Sequence, residues 1–235
     1  MIKFSKAIWV VFGMLLGIQG AWAARPFMTD DARLTTQGSC QLESWTRRYS
    51  NRVEYWALPA CNPTGNFEIT AGVGQFSANG LPGSQDQVLQ GKTLFRPLQS
   101  NDWAWGLALG RVWHPSTQPG PNNLGNTYLN LPLSVSRLDD RLVLHANLGW
   151  SVDQRTRQNS TTFGMGAEYW ATGRIMLIAE AFGDDRQKPF VQSGIRFSVI
   201  PGLLQIDATL GTQPSGRERN TWTSLGLRYT PDKLF

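Results

Sequence analysis

From Leu129 to Tyr229 apolar side chains fall on every second residue, in stretches of about ten residues, and none carries the 3.6-residue period of a helix. The clearest are Leu129, Leu131, Leu133, Val135; Leu142, Leu144, Ala146, Leu148, Trp150; and Leu204, Ile206, Ala208, Leu210. Asn130, Ser134, His145, Asn147, Gln205, Asp207 and Thr209 take alternate positions. A repeat of two gives each strand one apolar and one polar face. In a water-soluble sandwich the apolar face is the core; in a transmembrane barrel it meets lipid, and the polar face lines the lumen.

Followed along the chain, the alternation predicts strands at 40–49, 52–61, 67–76, 87–96, 103–113, 127–136, 141–151, 162–170, 175–183, 189–199, 203–211 and 221–230. Their number is even, as single-chain bacterial barrels require. From the third strand onward, longer connections (77–86, 114–126, 152–161, 212–220) alternate with shorter ones (97–102, 137–140, 171–174, 200–202), with 184–188 intermediate. Long loops at one end and short turns at the other are a barrel property that a sandwich has no reason to share. The predicted fold is therefore all-β, a twelve-stranded antiparallel transmembrane up-and-down β-barrel over 40–235.

The start of the chain decides the compartment. Lys3 and Lys6 precede an apolar run from Ala7 to Ile18, and Ala21-Trp22-Ala23 supplies small residues at a cleavage site, which predicts a signal peptide over 1–23. No later segment approaches the roughly 18 apolar residues of a spanning helix. Membrane residence must then be through paired strands, since hydrocarbon tolerates no unpaired backbone. Residues 24–39, with Asp30, Asp31 and Arg33, form either a periplasmic extension or a plug folded into the lumen.

Ten tryptophans are many for one chain. Trp103, Trp105, Trp113, Trp150, Trp170 and Trp222 fall near predicted strand ends, where an interfacial aromatic girdle would place them. Leu225, Leu227, Tyr229 and the terminal Phe235 share one parity, which looks like the signal read by the barrel-assembly machinery; Pro231 departs from it.

The segments Ala24-Arg-Pro-Phe-Met-Thr-Asp-Asp-Ala-Arg, Glu54-Tyr-Trp-Ala-Leu-Pro-Ala-Cys-Asn-Pro, Gln90-Gly-Lys-Thr-Leu-Phe-Arg-Pro and Leu144-His-Ala-Asn-Leu-Gly-Trp resemble a group of uncharacterised proteobacterial outer-membrane β-barrel proteins. That group is distantly similar to the transporters associated with the meta-pathway of phenol degradation. The resemblance implies a barrel, with transport of small molecules as its expected role, and carries over no catalytic motif.

Candidate chemistry is sparse. If Ser50-Asn51 is a two-residue turn, Cys40 faces Cys61, at a spacing that a disulfide accepts in an oxidising compartment. Glu168, Glu180, Arg196, Asp207 and Arg228 lie on the inward parity, with His145 and Asn147. Turning at Pro201-Gly202 sets Ile200 against Leu203 and Arg196 against Asp207, and brings Arg228 close to Asp207 if the last two strands pair in register. These charges either fill a narrow lumen and fix register, or line a pore and select solutes.

Other functions find less support. Ser134, His145 and Asn147 can be drawn as a hydrolase set, but a lipid hydrolase needs its nucleophile at the bilayer surface, whereas alternation turns His145 inward. No His, Cys and carboxylate cluster has metal-ligand spacing, and no cofactor is expected. The charge of +5, or +3 without Lys3 and Lys6, is scattered, with no stripe suited to nucleic acid. Arg155, Arg157, Arg186, Lys188, Arg217 and Arg219 fall in the expected outer loops, where they either meet lipopolysaccharide phosphates or, as loop charges more often are, are simply solvated. The sequence thus points to the bacterial outer membrane and a passive channel or transport-related pore. A non-conducting accessory barrel is the alternative, and a lipid-modifying enzyme a more distant one.

Overall fold

The computed structural model describes residues 27–78, 83–114, 125–214 and 221–235; the segment 1–23 expected to be a signal peptide, Arg217 and Arg219 lie outside the described residues. Twelve strands, β1 (Ser39–Tyr49), β2 (Arg52–Asn62), β3 (Phe67–Ala78), β4 (Ser84–Arg96), β5 (Trp103–Trp113), β6 (Asn126–Arg137), β7 (Leu142–Asp153), β8 (Gln158–Trp170), β9 (Ile175–Asp184), β10 (Phe190–Ile200), β11 (Leu204–Thr212) and β12 (Thr221–Tyr229), follow one another. Each pairs antiparallel with its chain neighbours, and β1 closes on β12, so the barrel has no free edge. No helix occurs among the described residues.

Alternation decides which way each side chain points, and the outcome is inverted relative to a water-soluble protein. Leu148, Leu210 and Leu225 are 58%, 58% and 63% exposed, whereas Glu168, Arg196 and Arg228 are 1%, 1% and 2% exposed. Apolar side chains form the outer surface and charged ones the interior, the arrangement of a barrel solvated by lipid.

We call the rim where β1 begins and β12 ends the lower rim. There Gly38, at φ +74°, turns the chain into β1, and its carbonyl accepts N–H bonds from Leu234 and Phe235 at 2.9 and 3.1 Å. A Cβ on Gly38 would strike the Phe235 carbonyl. β12 ends at Tyr229, and residues 230–235 fold toward Gly38, so Phe235 does not continue the strand parity expected of it. Cys40 pairs with Cys61 as the two-residue turn requires, and the two form a disulfide. Cys40 shares the parity of Leu42, which puts the bond on the outer face.

Three expectations are corrected. The connections expected at 77–86 and 152–161 shorten because β3, β4, β7 and β8 run further; Ser151, Val152 and Asp153 still pair with Ser160, Asn159 and Gln158. These mostly polar pairs extend the ladder past the apolar belt, and Asp153 Oδ1 caps the turn by accepting Arg155 N–H at 2.8 Å. Ile200 faces Leu204, not Leu203: the turn takes one more residue, and a bulge between Ser198 and Ile200 absorbs it, so Arg196 still faces Asp207. Trp103, Trp105 and Trp150 are exposed on the outside, but Trp222 is buried inward at 2% exposure and Trp170 packs against Phe27, Met176 and Ile178.

Candidate functional site

The interior is not empty. Residues 27–38 run as an irregular segment inside the lower half of the barrel, and its backbone donors are satisfied by wall side chains instead of a sheet. Thr35 N–H donates to Glu68 at 2.7 Å, Ala32 N–H to Ser134 Oγ at 2.8 Å, and Asp30 N–H to Asn147 Oδ1 at 2.6 Å. Met28 and Thr29 N–H both donate to Glu180, each at 2.8 Å. Asn147 Nδ2 and Asn62 Nδ2 return bonds to the carbonyls of Asp30 and Thr35, each at 2.7 Å. Phe27 enters an apolar pocket of Met176 and Ile178; Ala32 and Leu34 enter another with Leu94 and Ala104.

Charge fastens the same segment twice. Lys92 Nζ on β4 lies 2.8 Å from Asp30 and 3.3 Å from Asp31. Glu168 on β8 binds Arg33 of the segment at 2.9 Å, Arg196 of β10 at 3.1 Å, and His145 Nε2 at 3.5 Å. A cavity of about 30 Å³ remains between the segment and β1–β4, bounded in part by Asp31, Glu43, Glu68 and Lys92. That is room for about one water molecule.

The residues singled out from sequence fall as follows. Glu168, Glu180, His145 and Asn147 converge on the segment. Arg196 stands opposite Asp207, but its Nε is 4.0 Å from that carboxylate while its Nη1 turns to Glu168. Arg228 does not meet Asp207 across the ladder: Asp207 faces Gly226, and Arg228 faces Gln205. Its partners lie over the closing seam on β1, Gln41 at 2.9 Å and Glu43 at 4.0 Å. Lys92, Glu68 and Glu43 were not singled out, although the parity applied to the later strands marks all three as inward.

The Ser134 and His145 pair is real, with Oγ 2.8 Å from Nδ1. Its third member is Glu168 and not Asn147, which serves Asp30 instead. Ser134 is fully buried and its oxygen accepts the Ala32 N–H, so in this state the group is sealed beneath the segment.

The upper half of the lumen has a different lining. Trp45 stacks on Trp56 at 5.8 Å, Phe182 on Phe190 at 5.6 Å, and Trp222 lies 5.8 Å from Tyr49 and 5.9 Å from Phe190. Trp56, Tyr128 and Trp222 each cover a glycine of an adjoining strand, Gly74, Gly110 and Gly211, where a Cβ would collide with the ring. Arg47 projects among them.

Solved structures similar to this chain are outer-membrane barrels. The KdgM porin, in a complex with disordered oligogalacturonate, has a TM-score of 0.58 at 8% identity, covering 81% of this chain and 99% of that one. The NanC porin gives 0.58 at 8% identity, covering 81% and 98%. Outer membrane phospholipase A from Escherichia coli gives 0.51 at 10% identity, covering 86% and 94%. At such identities the likeness establishes the fold, which porins share with an enzyme. No curated protein matches the sequence significantly. The profile of the family described as "Uncharacterised conserved protein UCP029691" matches residues 12–229, and the chain belongs to that family.

Proposed function

We propose that the protein is an outer-membrane channel for small solutes, closed in its resting state by its own residues 27–38. The observation that carries this reading is the segment itself, seated in the lumen through five wall-bonded N–H groups and two buried charge clusters. The lower rim is then periplasmic, and the rim where β5 ends and β12 begins faces outward. Residues 27–38 occupy the lower half of the lumen, bonded to Glu68, Ser134 and Asn147 of three different strands, so transport requires the segment to move. Gly38 and the Cys40–Cys61 bond fix the lower end, so the segment can swing without leaving the chain.

Planar-bilayer recording of the refolded protein tests this. Deleting residues 26–36 is expected to raise conductance from rare steps to a sustained open level. Equal traces for both proteins would overturn the gate, and silence from both would favour the non-conducting barrel.

A further inference from the structure

Arg47 is a lumen cation that the segment does not use. Its side chain is 9% exposed, and it projects inward from β1 between its cross-strand partners Glu54 of β2 and Ser224 of β12. Nη1 is 3.9 Å from Glu54 Oε2, while the other Glu54 oxygen accepts Arg52 Nε at 3.2 Å. Nε and Nη2 of Arg47 have no hydrogen-bond partner. These two nitrogens form one edge of the guanidinium, the edge that offers a pair of parallel N–H groups to a carboxylate. In the lower half, by contrast, Lys92 and Arg33 each hold a carboxylate within 3 Å.

The surroundings of that edge are flat and apolar. The Trp222 ring centre lies 5.3 Å from the Arg47 guanidinium carbon. Its indole is pinned by an Nε1 bond to Gln192 Oε1 at 3.2 Å and by the absence of a side chain at Gly211. Tyr49 and Phe190 lie beside it on the inward parity of β1 and β10, and both are half-buried. An unpartnered bidentate edge beside tilted aromatic rings matches a ligand that joins a carboxylate to a planar apolar body. An inorganic anion would leave the rings unused; a neutral aromatic would leave the edge unsatisfied.

We propose that Arg47, with Trp222, Tyr49 and Phe190, binds a small aromatic carboxylate in the upper half of the lumen. The carboxylate takes Nε and Nη2, and the ring slides between the aromatic side chains by displacing Tyr49 toward the lumen. The proposal rests on the channel reading for its biological sense, since it names what waits above the closed segment. Binding itself does not require conduction.

The test titrates the full refolded protein in detergent with sodium benzoate and follows tryptophan fluorescence, with benzyl alcohol and sodium chloride as matched probes. Benzoate is expected to give a saturable change that neither other probe reproduces. Arg47→Lys keeps the charge but loses the paired edge, and is expected to weaken benzoate by about tenfold or more. Arg48→Lys, on the outward parity of the same strand, is expected to leave the titration unchanged, and heat-modifiable mobility checks that each variant is folded. Equal responses to benzoate and benzyl alcohol, or a folded Arg47→Lys protein that binds as the parent does, would overturn the site. Saturable binding in a protein silent in bilayers would sink the channel and keep the site; conduction without binding would do the reverse.

Discussion

Arg33 Nη1 lies 2.9 Å from Glu168 Oε2, and Glu168 Oε1 lies 3.1 Å from Arg196, so one buried carboxylate joins the lumen segment to the barrel wall. Two guanidiniums share that anion, with Asp31 3.7 Å from Arg33 and Asp207 4.0 Å from Arg196 supplying the remaining charge. Glu168→Gln would leave both cations in a low-dielectric interior with only the more distant Asp31 and Asp207 as counter-charges. Breaking a buried pair in this way costs about 3–5 kcal/mol. Urea unfolding from lipid vesicles should register that loss; a change under about 1 kcal/mol would mean that the lumen is wet enough to solvate the guanidiniums unaided.

Lys92 is the second fastening, and its removal acts on the segment more than on the wall. Lys92→Met leaves Asp30 and Asp31 without the ammonium they share, so the docked state is weakened relative to the released one. A loss of about 3 kcal/mol would raise the open population about a hundredfold. Single-channel open probability is the readout, and Asp30→Asn with Asp31→Asn should move it in the same direction. An open probability equal to the parent's in both variants would show that the segment does not gate.

What could be read from the sequence is what a short turn or a two-residue repeat controls. The Ser50-Asn51 turn leaves no slack, so Cys40 meets Cys61; Leu142 to Trp150 can face only one way. Arg196 meets Asp207 although the turn is one residue longer than expected, because the bulge cancels the difference. The β1–β12 seam has no turn to set it, which is why the partnership of Arg228 with Glu43 was not legible. The segment was less legible still. Its bonds run from backbone N–H groups to Glu68, Ser134, Asn147 and Glu180, side chains up to 152 residues away, and a backbone donor has no sequence signature. Trp222 was misplaced for a related reason: its position near a strand end suggests the girdle, but its even number matches the inward Ser224 and Arg228.

The Cys40–Cys61 bond joins the two strands that carry the lower end of the segment. Non-reducing mass spectrometry of protein from an oxidising compartment should find the two cysteines in one linked peptide. Replacing both by serine is expected to lower stability by about 2–4 kcal/mol, the usual range for closing a loop of this length. With the bond lost, Gly38 remains seated through Asn62 and Phe235, so the gate should still close. A double-serine protein that conducts continuously would instead make the disulfide part of the latch.

The inverted distribution of side chains gives the sharpest test of the membrane assignment. Leu148 sits near the middle of β7 and is 58% exposed, while His145 and Asn147 on the same strand point inward. If the outer face is solvated by acyl chains, Leu148→Arg places a cation near the bilayer midplane and costs about 2–4 kcal/mol. If that face met water, the same change would relieve an exposed leucine and cost almost nothing. Leu225→Arg, at 63% exposure on β12, should behave alike, since both side chains project from the belt and neither touches the lumen segment. Folding equilibria in vesicles measure the difference directly. A penalty at these two positions, absent for arginine at Gln154 in the β7–β8 turn, would place the belt in hydrocarbon and the turn outside it; no penalty at either leucine would remove the membrane from the account, and the channel with it.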